Sequence, residues 1–173
     1  MPNHFHLVVE PAHQTALSQF TQWLLTSHVR RYHKHYGSSG HVWQGRFKSF
    51  AVQRDEHLIT TLRYVLQNPV RAGLSETVHE WPGSSARRRQ LVDRSPSDDE
   101  IRWSEQLESR LDELQVATIR ECLNRQRPFG QSEWQTEMAV TFGLGSTVRP
   151  VRLSYVMDRH SRRTGIACCA WSL

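Results

Sequence analysis

Cysteine is scarce in this chain: Cys122, Cys168 and Cys169 are the three among 173 residues, and none forms a Cys-x-x-Cys pair. That excludes a disulfide-stapled scaffold and suits a reducing cytoplasm. Long apolar runs are missing too, since none approaches the ~20 residues needed to cross a bilayer. No charged head followed by an apolar core opens the sequence, so no secretory signal is visible. Nor is there an internal repeat. Acid is nearly absent from the first third. Residues 1–54 hold one acidic residue, Glu10, against Arg30, Arg31, Lys34, Arg46, Lys48 and Arg54, together with seven of the ten histidines. With a formal net charge of +5 overall, this balance points to a polyanionic partner. Residues 95–125 reverse it, with eight acids against four arginines. The length fits one domain, or a small domain with an appendage.

What the chain does have is a distinctive opening, Met1-Pro-Asn-His-Phe-His-Leu-Val-Val-Glu10. Phe5, Leu7 and Val9 alternate with His4, His6 and Val8, and prolines at 2 and 11 bound the run, so it predicts a short strand. Side chains two apart in a strand leave the same face, with Cα atoms about 6.7 Å apart. His4 and His6 can therefore turn ring nitrogens toward one divalent ion while Phe5 anchors the opposite face. His-x-His is short and common, and two ordinary half-buried histidines would give the same pattern.

Thr15 to Tyr36 reads as a helix, with Leu17, Phe20, Leu24, Leu25, Val29 and Tyr32 at three-to-four spacing and Gly37 as its stop. Arg30, Arg31 and Lys34 near its end suit the helix dipole or a phosphate-contacting face. Residues 41–53 suggest one or two strands broken at Gly45. There Trp43, Arg46 and Lys48 interleave aromatic and basic groups, a mixture suited to nucleic acid. Asp55 can cap a helix running to about Asn68, where Pro69 forbids an undistorted continuation. Tyr64 and Asn68 are one turn apart on it and hence neighbours. Residues 93–99 read as a linker between a first region, 1–92, and a helical C-terminal region, 100–150. In the latter, helix patterns cover about 100–125 and 133–142, Ser132 with Gln135 has capping-box spacing, and Gly143 is a helix stop. The tail, 151–173, has little period and is expected to be poorly ordered.

Five blocks occur in order: Met1–Glu10, Gly40-His-Val-Trp-Gln-Gly-Arg-Phe-Lys48, Leu62-Arg-Tyr-Val-Leu-Gln-Asn-Pro-Val-Arg-Ala-Gly-Leu74, Trp81-Pro-Gly-Ser-Ser85, and Arg127-Pro-Phe-Gly130 with Gly143–Pro150. Together they resemble the HUH-type single-tyrosine transposases, in particular the REP-associated tyrosine transposase branch. The resemblance implies an α+β fold: an incomplete ferredoxin-like sandwich, its antiparallel sheet carrying helices on one face, plus a small helical C-terminal region. It is incomplete because relatives carry a first strand and helix before the Met-Pro-Asn-His block, which here starts at residue 1.

By similarity, Tyr64 is the nucleophile and His4 and His6 are metal ligands. Asn68 is the third ligand, with Gln67 as the alternative. The metal is a divalent cation, Mg²⁺ or Mn²⁺. The implied reaction nicks and joins single-stranded DNA through a covalent 5′-phosphotyrosine, with hairpin-forming repeat ends as substrate. The cysteine usage places the chain in the cytoplasm, and a homodimer would be one way to cover the sheet edge that a missing first strand leaves open. Arg30, Arg31, Lys34, Trp43, Arg46 and Lys48 are the DNA-contact candidates. Two alternatives compete: a decayed transposase fragment that binds DNA without catalysis, and an unrelated metal-dependent hydrolase using His4 and His6.

Overall fold

The computed structural model describes residues 1, 3–13, 15–44, 47–87, 100–148 and 166–172. Its strands are β1 (His4–Val9), β2 (Lys48–Val52) and β3 (Ile166–Ser172). The helices are α1 (Ala16–Tyr36), α2 (Glu56–Arg71), α3 (Glu100–Glu108), α4 (Glu113–Arg125), α5 (Ser132–Thr141) and α6 (Gly145–Val148), with a 3₁₀ turn at Ser85–Arg87. Helices and strands thus combine in an α+β arrangement. The described residues hold three strands, one fewer than a full β-α-β-β-α-β ferredoxin-like unit.

The sheet order is β1-β3-β2, with β3 antiparallel to both neighbours. The last described segment is therefore the middle of the sheet. Part of the tail expected to be unordered forms this strand; residues 151–165 lie outside the described residues. Ile166-Ala-Cys-Cys-Ala-Trp-Ser172 carries little strand signal of its own, and two facing partner edges supply what the local sequence does not. Residues 41–53 give one strand, and Gly45, the expected break, lies outside the described residues. The outer edge of β2 is capped by Phe129, whose N–H donates to Ala51 O at 2.8 Å and whose carbonyl accepts from Gln53 N at 2.9 Å.

Register decides which side chains share a face. His6 and Lys48 both oppose Ala170, while Val8 and Phe50 both oppose Cys168. His4, His6 and Val8 therefore lie on the same face as Lys48, Phe50 and Val52. That face meets the buried side chains of α2 and α4. Phe50, Val52, Tyr64, Leu111, Val116, Ile119, Cys122 and Phe129 form one core, and Ile119 is 0% exposed. Residues of both stretches, 1–92 and 100–150, contribute to this core. On the other face Phe5 meets Trp43 edge-on, with ring centroids 5.4 Å apart, and Trp43 packs on His28 of α1.

Two helix boundaries differ from the sequence reading. Pro69 sits inside α2, which runs on to Arg71. In the last turn proline removes one backbone bond without having to start a new direction. A full C-terminal clasp then ends the helix: Gly73 N–H donates to Val70 O, and Leu74 N–H to Pro69 O. Gly73 takes φ +67, which glycine tolerates. The pattern over 100–125 is split into α3 and α4, and the capping box lies at Asp112 with Gln115. At the start of α5 the cap is Gln131, without a side-chain bond, so the Ser132–Gln135 box does not form. Gln135 donates instead to Gly130 O. Gly130 is closed in, since any Cβ there would collide with Trp134 and Gln53.

Candidate active site

The strand β1 and the helix α2 bring together four side chains from two distant parts of the sequence. His4 and His6 stand on one face of β1 with ring centroids 5.2 Å apart and planes nearly perpendicular. The His6 ring meets the Tyr64 ring edge-on at 5.8 Å. Tyr64 is 5% exposed, and Asn68, one turn further along α2, is 7% exposed. Arg71, three residues on, places its guanidinium carbon 4.7 Å from the centre of the Tyr64 ring and donates from Nη2 to Asn68 Oδ1 at 3.2 Å.

The electrostatics favour neutral imidazoles. Burial pushes His6 down to about 4, helped by the neighbouring His4, the N-terminal ammonium and Arg71. His4 is lowered as well, by burial first and then by the N-terminal ammonium. Its Nδ1 lies 2.8 Å from Asn3 Oδ1, and if that nitrogen carries the proton, Nε2 keeps its lone pair. His6 Nδ1 and Asn68 Nδ2 are buried and have no hydrogen-bond partner. Unpaired buried polar atoms are costly, and these two belong to the same cluster.

His6 also makes stability depend on pH. A folded value near 4 against an ordinary value near 6.5 means that the unfolded chain binds more protons in between. The stabilisation is present above about pH 6.5 and is lost as the pH falls toward 4, amounting to at most about 3 kcal/mol. Denaturant titrations of the metal-free protein at pH 7 and pH 4.5 should show this loss, and His6→Gln should shrink it. A His6→Gln protein with an unchanged pH slope would remove His6 as the cause.

Gln67, the alternative ligand, is committed elsewhere. Its Nε2 donates to Leu107 O at 2.8 Å and Ser109 O at 2.7 Å, and its Oε1 accepts from Leu111 N at 3.3 Å. It clasps α2 to the α3–α4 connection. Among the described residues Asp55, Glu56 and His57 also bring potential ligand atoms within 4.8 Å of one another. There, however, Asp55 Oδ1 caps α2 by accepting from His57 N and faces His57 Nδ1 at 2.7 Å.

The proposed DNA contacts are scattered around this centre. Arg30, Arg31 and Lys34 are exposed on α1, a helix without a single acidic side chain. Trp23, 64% exposed, lies along the same helical face as Arg30 and Lys34. Trp43 is half-buried against Phe5 and His28. Lys48 Nζ donates to Asn124 Oδ1 at 3.0 Å. Arg46 lies outside the described residues. Sequence reasoning missed Arg71 because it ended the helix at Asn68; spacing of seven from Tyr64 and three from Asn68 was the available signal.

Residues 1–68 match the family model described as "Transposase IS200 like", so the resemblance read from the sequence holds at the level of the family over that segment. The chain is also similar to a Haemophilus influenzae protein named "Putative REP-associated tyrosine transposase", with 32% identity over 110 residues. That match covers 57% of this chain and 61% of the relative, so the chain spans less than two thirds of that protein's length. No solved structure matches the chain significantly. Among the described residues no helix is long and apolar enough to cross a membrane.

Proposed function

We propose that this protein nicks and joins single-stranded DNA through a covalent tyrosine intermediate. The observation that carries the reading is the juxtaposition of His6 and Tyr64, brought from positions 58 apart in the sequence to a ring separation of 5.8 Å. In the forward step Tyr64 Oη attacks the scissile phosphorus and its proton passes to water. The bond to the 3′ oxygen breaks, leaving a free 3′-hydroxyl and a 5′-phosphotyrosine. Attack by another 3′-hydroxyl reverses the step. Bond energy is conserved, and no nucleotide cofactor enters.

A tyrosine suits both directions, because a phenol with an ordinary pKa near 10 is a weaker nucleophile but a better leaving group than an alkyl hydroxyl. His4, His6 and Asn68 would hold a divalent ion, Mg²⁺ or Mn²⁺, which supplies charge to polarise the phosphate. Two observations support that fit: the neutral imidazoles and the unpartnered buried His6 Nδ1. Asn68 fits less completely, since its Oδ1 is held by Arg71. The basic face of α1, with exposed Trp23 beside Arg30 and Lys34, offers a route for the strand, cations taking phosphates and the indole a base.

The test is an adduct assay with a 3′-labelled single-stranded hairpin, run with and without Mn²⁺ on a denaturing gel. Label should migrate at protein size with the wild type and vanish in Tyr64→Phe, in His6→Ala and without metal. Cleaved product without adduct, indifferent to Tyr64, would instead indicate hydrolysis. Salt-sensitive binding with no adduct would favour a DNA-binding role alone.

A further inference from the structure

We infer that Arg71 anchors the phosphate on which Tyr64 acts, an assignment that rests on the reading above for the identity of the reacting group. Its backbone is fixed, because Arg71 is the last residue of α2 and the clasp through Val70, Pro69, Gly73 and Leu74 closes immediately behind it. Its side chain lies back over the helix, stacked on Tyr64 at 4.7 Å and bonded to Asn68 Oδ1. Among the described residues no carboxylate pairs with it. A guanidinium bonded once to a neutral amide keeps most of its planar fork of donors for an oxyanion.

Exposure gives the order of events. Tyr64 and Asn68 are buried, whereas Arg71 is exposed, so an anion approaching the phenol meets the guanidinium first. Arg71 also acts on His6 electrostatically, which places its charge within reach of the whole cluster. Asn68 Nδ2, buried and unpartnered, adds a second donor to the same group. The Arg71 cation, held beside the phosphorus, offsets the negative charge that grows on the phosphoryl oxygens as Tyr64 attacks.

Two measurements test this. First, inorganic phosphate is titrated into chelator-treated protein at constant pH and ionic strength, following the ring-proton resonances of Tyr64 and His6. Saturable shifts are expected in the wild type and none in Arg71→Ala. Equal shifts in both proteins, or none in the wild type, overturn the assignment. Second, the rate of adduct formation is compared across variants. Arg71→Ala should fall by about 100-fold with oligonucleotide affinity changed by less than about threefold, since one phosphate contact is a small part of the footprint. Arg71→Lys, which keeps the charge without the fork, should fall between. An Arg71→Ala protein that forms adduct at the wild-type rate refutes the role while leaving the transposase reading intact. A wild type that binds phosphate through Arg71 yet forms no adduct keeps the anion site and refutes that reading instead.

Discussion

A chain cut after Gly165 should lose its cooperative unfolding transition. The reason is the position of β3: six register positions of β1 and five of β2 are paired to it, and among the described residues those two strands pair with no other strand. Removing β3 therefore removes every ladder in the sheet. At about 1 kcal/mol net for each backbone bond, the loss is comparable to the whole ~5–15 kcal/mol by which a domain of this kind is stable. It also unroofs β1, so His4 and His6 lose the frame that fixes their separation. Circular dichroism during heating provides the measurement. A truncated chain melting within a few degrees of the full one would mean that β3 contributes little to the sheet.

Gln67→Leu is expected to cost about 2–4 kcal/mol, a melting temperature lower by roughly 5–15 °C. Leucine keeps the volume of the buried side chain and removes all three of its hydrogen bonds. Leu107 O and Leu111 N then lose the partner that Gln67 supplied. Ser109 O suffers less, because Arg63 Nη2 also donates to it at 2.7 Å. The consequence reaches the site: α2, which carries Tyr64, would keep the Arg63 bonds to Ser109 but lose its ties to Leu107 and Leu111. Urea titration of both proteins decides the matter, and a difference below about 0.5 kcal/mol would show the clasp to be dispensable.

The parts of this molecule that the sequence announces are those with local causes. Alternation bounded by prolines placed β1, and three-to-four spacing ended by Gly37 placed α1. The Asp55 cap placed the start of α2, because caps and periods act over a single turn. Its end was misjudged. Pro69 reads as a stop, but in a last turn it costs a single bond, and the helix runs on to Arg71. The break between α3 and α4 had a signal, Asp112 three before Gln115, hidden inside a continuous apolar period. The strand β3 had none, since its conformation is imposed by two edges formed far away in the chain. Of the candidate site, His4, His6, Tyr64 and Asn68 were legible as residue types at meaningful spacing. That Gln67 is a clasp, while its neighbour faces Arg71, depends on a turn of helix in three dimensions and cannot be read from adjacent letters.

The central place of β3 also sets a timetable. Pairing His4 with Ser172 joins the earliest-made strand to the latest-made one among the described elements, and such distant closures are slow to form. During synthesis the histidine strand must wait, its edge unsatisfied and open to chaperones or to wrong partners, until β3 has left the ribosome. A nascent chain would hold its histidines and its tyrosine without being able to set them against each other until the strand that completes its sheet arrives.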